Sequence, residues 1–200
     1  MRSTLQRARS SGGPFTDINE LGSSNAMYDA GKLYVVDALG VLTQLDADTG
    51  AVGFQVLLPD EFFVESPPVT SDGVLFVTGG IDLGANLSAI SEVDGTNLWT
   101  VSVEGSGAGA PTLSGTTVFA TFPAQYYAFD RRTGATLWHF AGDVEGGGAS
   151  TPVFRDGRLY VRDQEGRTQL PNSGVVLDDA NGSAVASFEC GPPRGAPPRR

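Results

Sequence analysis

One cysteine and one histidine occur in 200 residues. The lone thiol, Cys190, excludes an internal disulfide and any multi-cysteine metal site, and a single imidazole, His139, makes a poor transition-metal site. Long apolar runs are missing as well, since no stretch approaches the ~20 consecutive apolar residues of a membrane-spanning helix. No segment shows convincing helical periodicity. Basic residues are scarce. All 23 carboxylates lie within residues 14–190, which hold only 7 of the 13 basic residues and so carry −16, against −10 for the chain. That surface repels phosphate backbones, which argues against nucleic-acid binding and favours solubility, cations or basic partners. A nucleophile elbow, a metalloprotease histidine pair and a spacing-defined pair of carboxylates are all lacking.

What the chain does have is a repeat. An aromatic sits inside a short apolar run at Tyr34, Phe76, Phe119 and Tyr160, in steps of 42, 43 and 41 residues. Eight positions before three of them is a proline, Pro68, Pro111 or Pro152, and Ala26 takes that place in the first copy. Each copy then reaches a turn ending in glycine, at Gly50, Gly95, Gly134 and Gly182, followed by a large aromatic, at Phe54, Trp99, Trp138 and Phe188. A period in the low forties, with short apolar runs between turns, is the signature of β-propeller blades of one four-stranded antiparallel sheet each. The reading is all-β with four blades over residues 14–190, between a disordered lead (1–13) and a disordered Pro/Arg tail (191–200).

Each copy divides into strands at its turns. In the second, Ser66–Ser71 reads as a first strand with prolines at its start, Asp72-Gly73 as a hairpin turn, and Val74–Val77 as a buried strand. Asn86–Ser91 and Asn97–Val101 complete it. The third copy replaces a glycine turn by Thr121–Gln125, and the fourth carries a polar insertion from Asp163 to Ser173. Asp46, Ser91, Asp130 and Asp178 each stand four positions before a turn glycine, where a short polar side chain can accept bonds from backbone donors. Trp99 and Trp138 are long enough to reach the next blade. Truncating either to alanine is expected to cost about 3–5 kcal/mol if buried.

The run Ala128-Phe129-Asp130-x-x-Thr133-Gly134-Ala135-x-Leu137-Trp138 resembles the tryptophan-docking repeat of the pyrroloquinoline-quinone (PQQ)-like β-propellers. Leu45-Asp46-x-x-Thr49-Gly50, Ile90-Ser91-x-x-Asp94-Gly95-x-x-Leu98-Trp99 and Leu177-Asp178-x-x-Asn181-Gly182 are degenerate versions. The resemblance covers about residues 20–190 and implies rings of seven or eight blades, of which four would be a part. Three expectations follow: a truncated gene product, part of a longer split propeller, or half of a homodimeric ring. Members resembled include quinoprotein dehydrogenases, which hold PQQ and calcium on the axis, and a scaffold lipoprotein of the outer-membrane barrel-assembly machinery.

Fold does not fix activity. A quinoprotein site would imply an adjacent cysteine pair, Asn/Glu/Asp metal ligands and a tryptophan under the quinone. The cysteine pair is absent, and Trp99 and Trp138 occupy the docking position. No cofactor is therefore expected, and PQQ with calcium belongs only to the dehydrogenase alternative. His139 is expected as a solvated strand residue facing away from Trp138. Asp163 and Glu165 suggest hard-cation ligands less well than a salt-laced turn with Arg155, Arg158, Arg162 and Arg167, because their spacing does not match a calcium loop. The glycine-rich stretches Glu104–Gly109 and Asp143–Gly148 read as blade connections, since a strand and not a helix follows each. Asp46, Gly50, Gly95, Trp99, Asp130, Gly134, Trp138, Asp178 and Gly182 are expected to be structural. The favoured function is a non-enzymatic platform binding a protein or small ligand through loops at the blade ends. The family points to the envelope or periplasm, although no apolar signal core follows the basic start.

Overall fold

The computed structural model describes residues 25–59, 66–81, 84–104, 109–123, 125–141, 150–163 and 173–189. The lead, the tail, Cys190, Glu165 and most of both glycine-rich stretches lie outside the described residues. Four antiparallel four-stranded sheets follow one another along the chain. The first holds β1 (Asn25–Asp29), β2 (Lys32–Val36), β3 (Val41–Asp46) and β4 (Val52–Leu57). The second holds β5 (Val69–Ser71), β6 (Val74–Ile81), β7 (Gly84–Ser91) and β8 (Asn97–Val103). The third holds β9 (Thr112–Ser114), β10 (Thr117–Phe122), β11 (Gln125–Asp130) and β12 (Thr136–Ala141). The fourth holds β13 (Val153–Arg155), β14 (Arg158–Asp163), β15 (Ser173–Asp178) and β16 (Ala184–Glu189).

Local chemistry explains where strands begin and turn. Ser66–Ser71 was expected to be one strand, but only its last three residues pair, because Pro67 and Pro68 have no N–H for the ladder. The next hairpin runs further than expected, to Ile81 opposite Gly84. Asp72 and Gly73 both adopt positive φ (53° and 78°), the type I′ geometry whose twist matches the flanking strands. Ala30-Gly31 and Asp156-Gly157 do the same in the first and fourth sheets.

The core lies between sheets, in three layers. Tyr34, Val36, Leu42 and Leu58 of the first sheet pack on Leu75, Val77 and Ile90 of the second. Phe76, Leu87 and Ala89 of the second meet Val118, Ala120 and Phe129 of the third. Phe119, Tyr126 and Trp138 of the third meet Leu159, Val161 and Leu177 of the fourth. Each internal sheet thus has a receptor face turned to its predecessor and a donor face turned to its successor. Between layers, Thr78 Oγ1 donates to Gly109 O (2.8 Å) and Thr112 Oγ1 to Pro152 O, tying each sheet to the segment that leads into the next.

The layers are joined at the turn glycines. Gly95, Gly134 and Gly182 sit at φ of 74°, 73° and 71°. A Cβ built at each would strike the preceding sheet's aromatic: Phe54 at 2.7 Å, Trp99 at 2.8 Å and Trp138 at 2.6 Å. Gly50 has the same backbone (φ 70°) but nothing within 4 Å. Gly134→Ala therefore combines left-handed strain with a steric clash and should cost about 2–5 kcal/mol, whereas Gly50→Ala should cost only the strain, about 1–2 kcal/mol. Urea unfolding of the two variants measures the difference; equal losses would mean that contact at the glycine is irrelevant.

Candidate functional site

Every sheet repeats one construction around its last turn. The residue four before the glycine donates its N–H to the residue after the glycine and accepts the glycine's N–H on its carbonyl. Gly50, Gly134 and Gly182 reach Asp46, Asp130 and Asp178 at 2.8 Å, and Gly95 reaches Ser91 at 3.0 Å. The Asp46 carboxylate accepts from Thr49 N (2.9 Å) and Thr49 Oγ1 (2.7 Å), and Asp130 accepts from Thr133 N (2.8 Å) and Oγ1 (2.6 Å). These bonds hold both carboxyls below the usual aspartate range. In the fourth sheet Asp178 accepts from Ala180 N (3.1 Å) and pairs with Arg158. The turn thereby presents one carbonyl to the neighbouring sheet.

That carbonyl is where the tryptophans bind. Trp99 Nε1 donates to Arg131 O (3.2 Å) and Trp138 Nε1 to Asp179 O (2.7 Å). Both acceptors directly follow the turn aspartate. Phe54 has no N–H to offer at the corresponding carbonyl of Glu92. There, Gln44 Nε2 donates instead, at 2.7 Å. Gln44 lies directly across from Phe54 on β3, where the tryptophans face Ala89 and Ala128. Gly53 makes room for the amide, since a Cβ there would meet Gln44 Oε1 at 2.2 Å, whereas the other bulges carry Leu98, Leu137 and Val185. Gln44 was not picked out from the sequence. Its signal was a glutamine opposite phenylalanine where alanine stands opposite tryptophan.

The fourth copy departs from expectation. Phe188 was expected as the fourth copy's counterpart of the aromatics that follow the turn glycine, but it pairs with Gly174, and Ala186 stands opposite Val176 in the place of Trp138. The sequence carried the clue: Phe188 lies six positions after its turn glycine and the other aromatics lie four. Its ring lies over Gly174, where a Cβ would be 2.0 Å away, and faces Tyr160 at 6.3 Å between centroids. Phe76–Trp99 and Phe119–Trp138 make the corresponding pairs at 5.9 Å.

The other sequence candidates are dispersed. His139 is exposed on β12, stacked on Tyr127 at 4.2 Å and hydrogen-bonded to Gln125. Asp163 ends β14 opposite Ser173. Arg155 pairs with its neighbour Asp156 at 3.2 Å, both largely exposed. Arg131 crosses from the third sheet to the second, donating to Ser71 Oγ (3.0 Å) and pairing with Asp72. Among the described residues no three His, Cys, Asp or Glu side chains converge as a metal site. Both indoles are committed to the next sheet's turn. Among the described residues this donor set does not fit a quinone with its divalent cation.

One carboxylate is out of place in a structural turn. Glu92 Oε1 is buried with no hydrogen-bond partner among the described residues. Burial, and then the nearby Asp29 charge, push its carboxyl above the usual range. Burial and Glu92 likewise push the Tyr34 hydroxyl up.

The geometry defines a class: consecutive four-stranded sheets packed face to face, each locked to the next by an aromatic on a turn glycine, make a β-propeller segment. The family model described as "Outer membrane protein assembly factor BamB" matches residues 83–189, more than half of the chain, and the chain belongs to that family of PQQ-like propeller repeats. No curated protein matches it in sequence. Among solved structures, BamB from Moraxella catarrhalis is similar at 18% identity and a TM-score of 0.65, over 84% of this chain and 51% of that one. A europium-containing methanol dehydrogenase is similar at 14% and 0.69, over 82% and 41%. The computationally designed protein Ika8 is similar at 12% and 0.65, over 82% and 48%. The chain thus spans about half the length of these structures or less, and the likeness to them is one of fold.

Two tests address this lock. Gln44→Ala leaves the Glu92 carbonyl without its donor and should cost about 1–2 kcal/mol, and adding Phe54→Trp should recover about 1 kcal/mol by supplying an indole N–H. A double variant no more stable than Gln44→Ala in urea would rule out the exchange. For pH, a raised carboxyl destabilises the fold while ionised, and the penalty is relieved as pH falls from the folded value towards the unfolded value of about 4.3. Glu92→Gln should therefore melt higher than wild type at neutral pH, and the gap should close near pH 4. Asp46 and Asp130, with lowered values, contribute above about pH 3.9 and lose that contribution as pH falls through their folded values. A gap that widens in acid would refute the assignment for Glu92.

Proposed function

We propose that the chain is a non-enzymatic propeller segment that binds another folded polypeptide. The observation that carries this is the receptor face of the first sheet. Leu33, Val35 and Leu45 are partly exposed there, whereas their register counterparts Leu75, Val77 and Ile90 are at most 1% exposed. Three aliphatic side chains beside an empty turn-glycine socket form a contiguous apolar surface of the kind that marks a protein interface. The polar groups of the turns are meanwhile occupied by the fold, and the donor set does not suit quinone chemistry. Family likeness supports a setting in the cell envelope.

With PQQ, calcium, a primary alcohol and an electron-accepting dye, no dye reduction above the blank and no saturable quenching of tryptophan fluorescence by PQQ are expected. Saturable quenching with turnover would replace this reading by the dehydrogenase one. A photo-cross-linking residue at Val35 should give polypeptide adducts.

A further inference from the structure

We propose that two copies of this chain close head to tail, with the fourth sheet of each packed on the first sheet of the other. The inference rests on the protein-binding reading above and names its partner. The chain makes the same joint three times internally, always donor face onto receptor face, and among the described residues one of each has no sheet packed on it. On the leftover receptor face are Leu33, Leu45 and the socket at Gly50. On the leftover donor face Tyr160 is 38% exposed, although its counterparts Tyr34, Phe76 and Phe119 are at most 2% exposed. A second copy supplies what each face lacks. Pairing like faces would set receptor against receptor, a contact with no precedent in the molecule.

The joint between copies differs from the internal ones in one respect. Ala186 stands where the donor sheets carry Phe54, Trp99 or Trp138, so no ring enters the Gly50 socket. The Tyr160–Phe188 pair still offers aromatic surface further along the sheet. Such a joint is weaker than those inside the chain, and the dimer is a dissociable one. A docking ring at position 186 would strengthen it, and Val176→Ala would restore the small residue that faces each tryptophan internally. A closed pair also satisfies symmetry: a head-to-tail contact that closes gives a ring, and one that does not gives a fibre.

The test is mass in solution against concentration, by light scattering at 0.15 M salt, where repulsion between chains of charge −10 is screened beyond about 8 Å. Wild type should move from 20.8 kDa towards twice that mass as concentration rises. Leu45→Arg and Tyr160→Arg should each remain monomeric, with circular dichroism confirming the fold. Their equimolar mixture should regain dimer mass, because one joint in that pair is wild type on both sides. Ala186→Trp with Val176→Ala should lower the dissociation constant at least about tenfold. Three results would overturn the proposal: a monomer at every concentration in wild type and the tryptophan variant, mass growing past the dimer, or a dimer lost in Leu45→Arg and kept in Tyr160→Arg. A monomer whose Val35 cross-linker still captures polypeptide would sink the dimer alone and leave the protein-binding reading standing.

Discussion

The fold depends on one repeated contact, an aromatic ring laid on the bare Cα of a turn glycine in the next sheet. The ring excludes any side chain at that position, and the glycine's left-handed backbone is what turns the loop towards it. The indole N–H then donates to a turn carbonyl at the joint, so burial of a large apolar surface and pairing of a polar group come from the same side chain. Sheets that are each twisted and marginal alone are thereby fixed in order and orientation. Neighbour-only contact makes stability a sum of sheet terms and joint terms.

The first joint shows that the physical requirement is distributed rather than tied to tryptophan. Phe54 supplies the ring and Gln44 supplies the N–H, with Gly53 clearing the space between them. The carbonyl is satisfied in all three joints although the donor comes from different strands. The requirement is on the group, and residue identity follows from it.

Much of this was legible in the sequence. The four copies, the hairpin turns and the positions of Gly95, Gly134, Trp99 and Trp138 follow from period and turn chemistry, because tight turns restrict residue type strongly. The fourth copy was misaligned: an aromatic in roughly the right place outweighed a two-residue difference in spacing, and along a strand two residues keep the face while changing the contact. Gln44 was invisible because its role depends on what lies opposite across a strand pair, which linear spacing does not record. Glu92 reads as an ordinary turn acid until burial is known. The ladders also run further than expected at β6 and β7, where the hairpin continues through Gly79 and Gly80 to Ile81 opposite Gly84.

The placement of the two indoles has an optical consequence. Trp99 reports the joint between the second and third sheets from a partly buried site, and Trp138 the joint between the third and fourth from a buried one, each with its N–H engaged. The first joint, built on phenylalanine and glutamine, contributes no tryptophan emission. Intrinsic fluorescence of this protein therefore sees one end of the molecule come apart and is blind to the other, and unfolding that starts at the first sheet would register by circular dichroism before it changed colour.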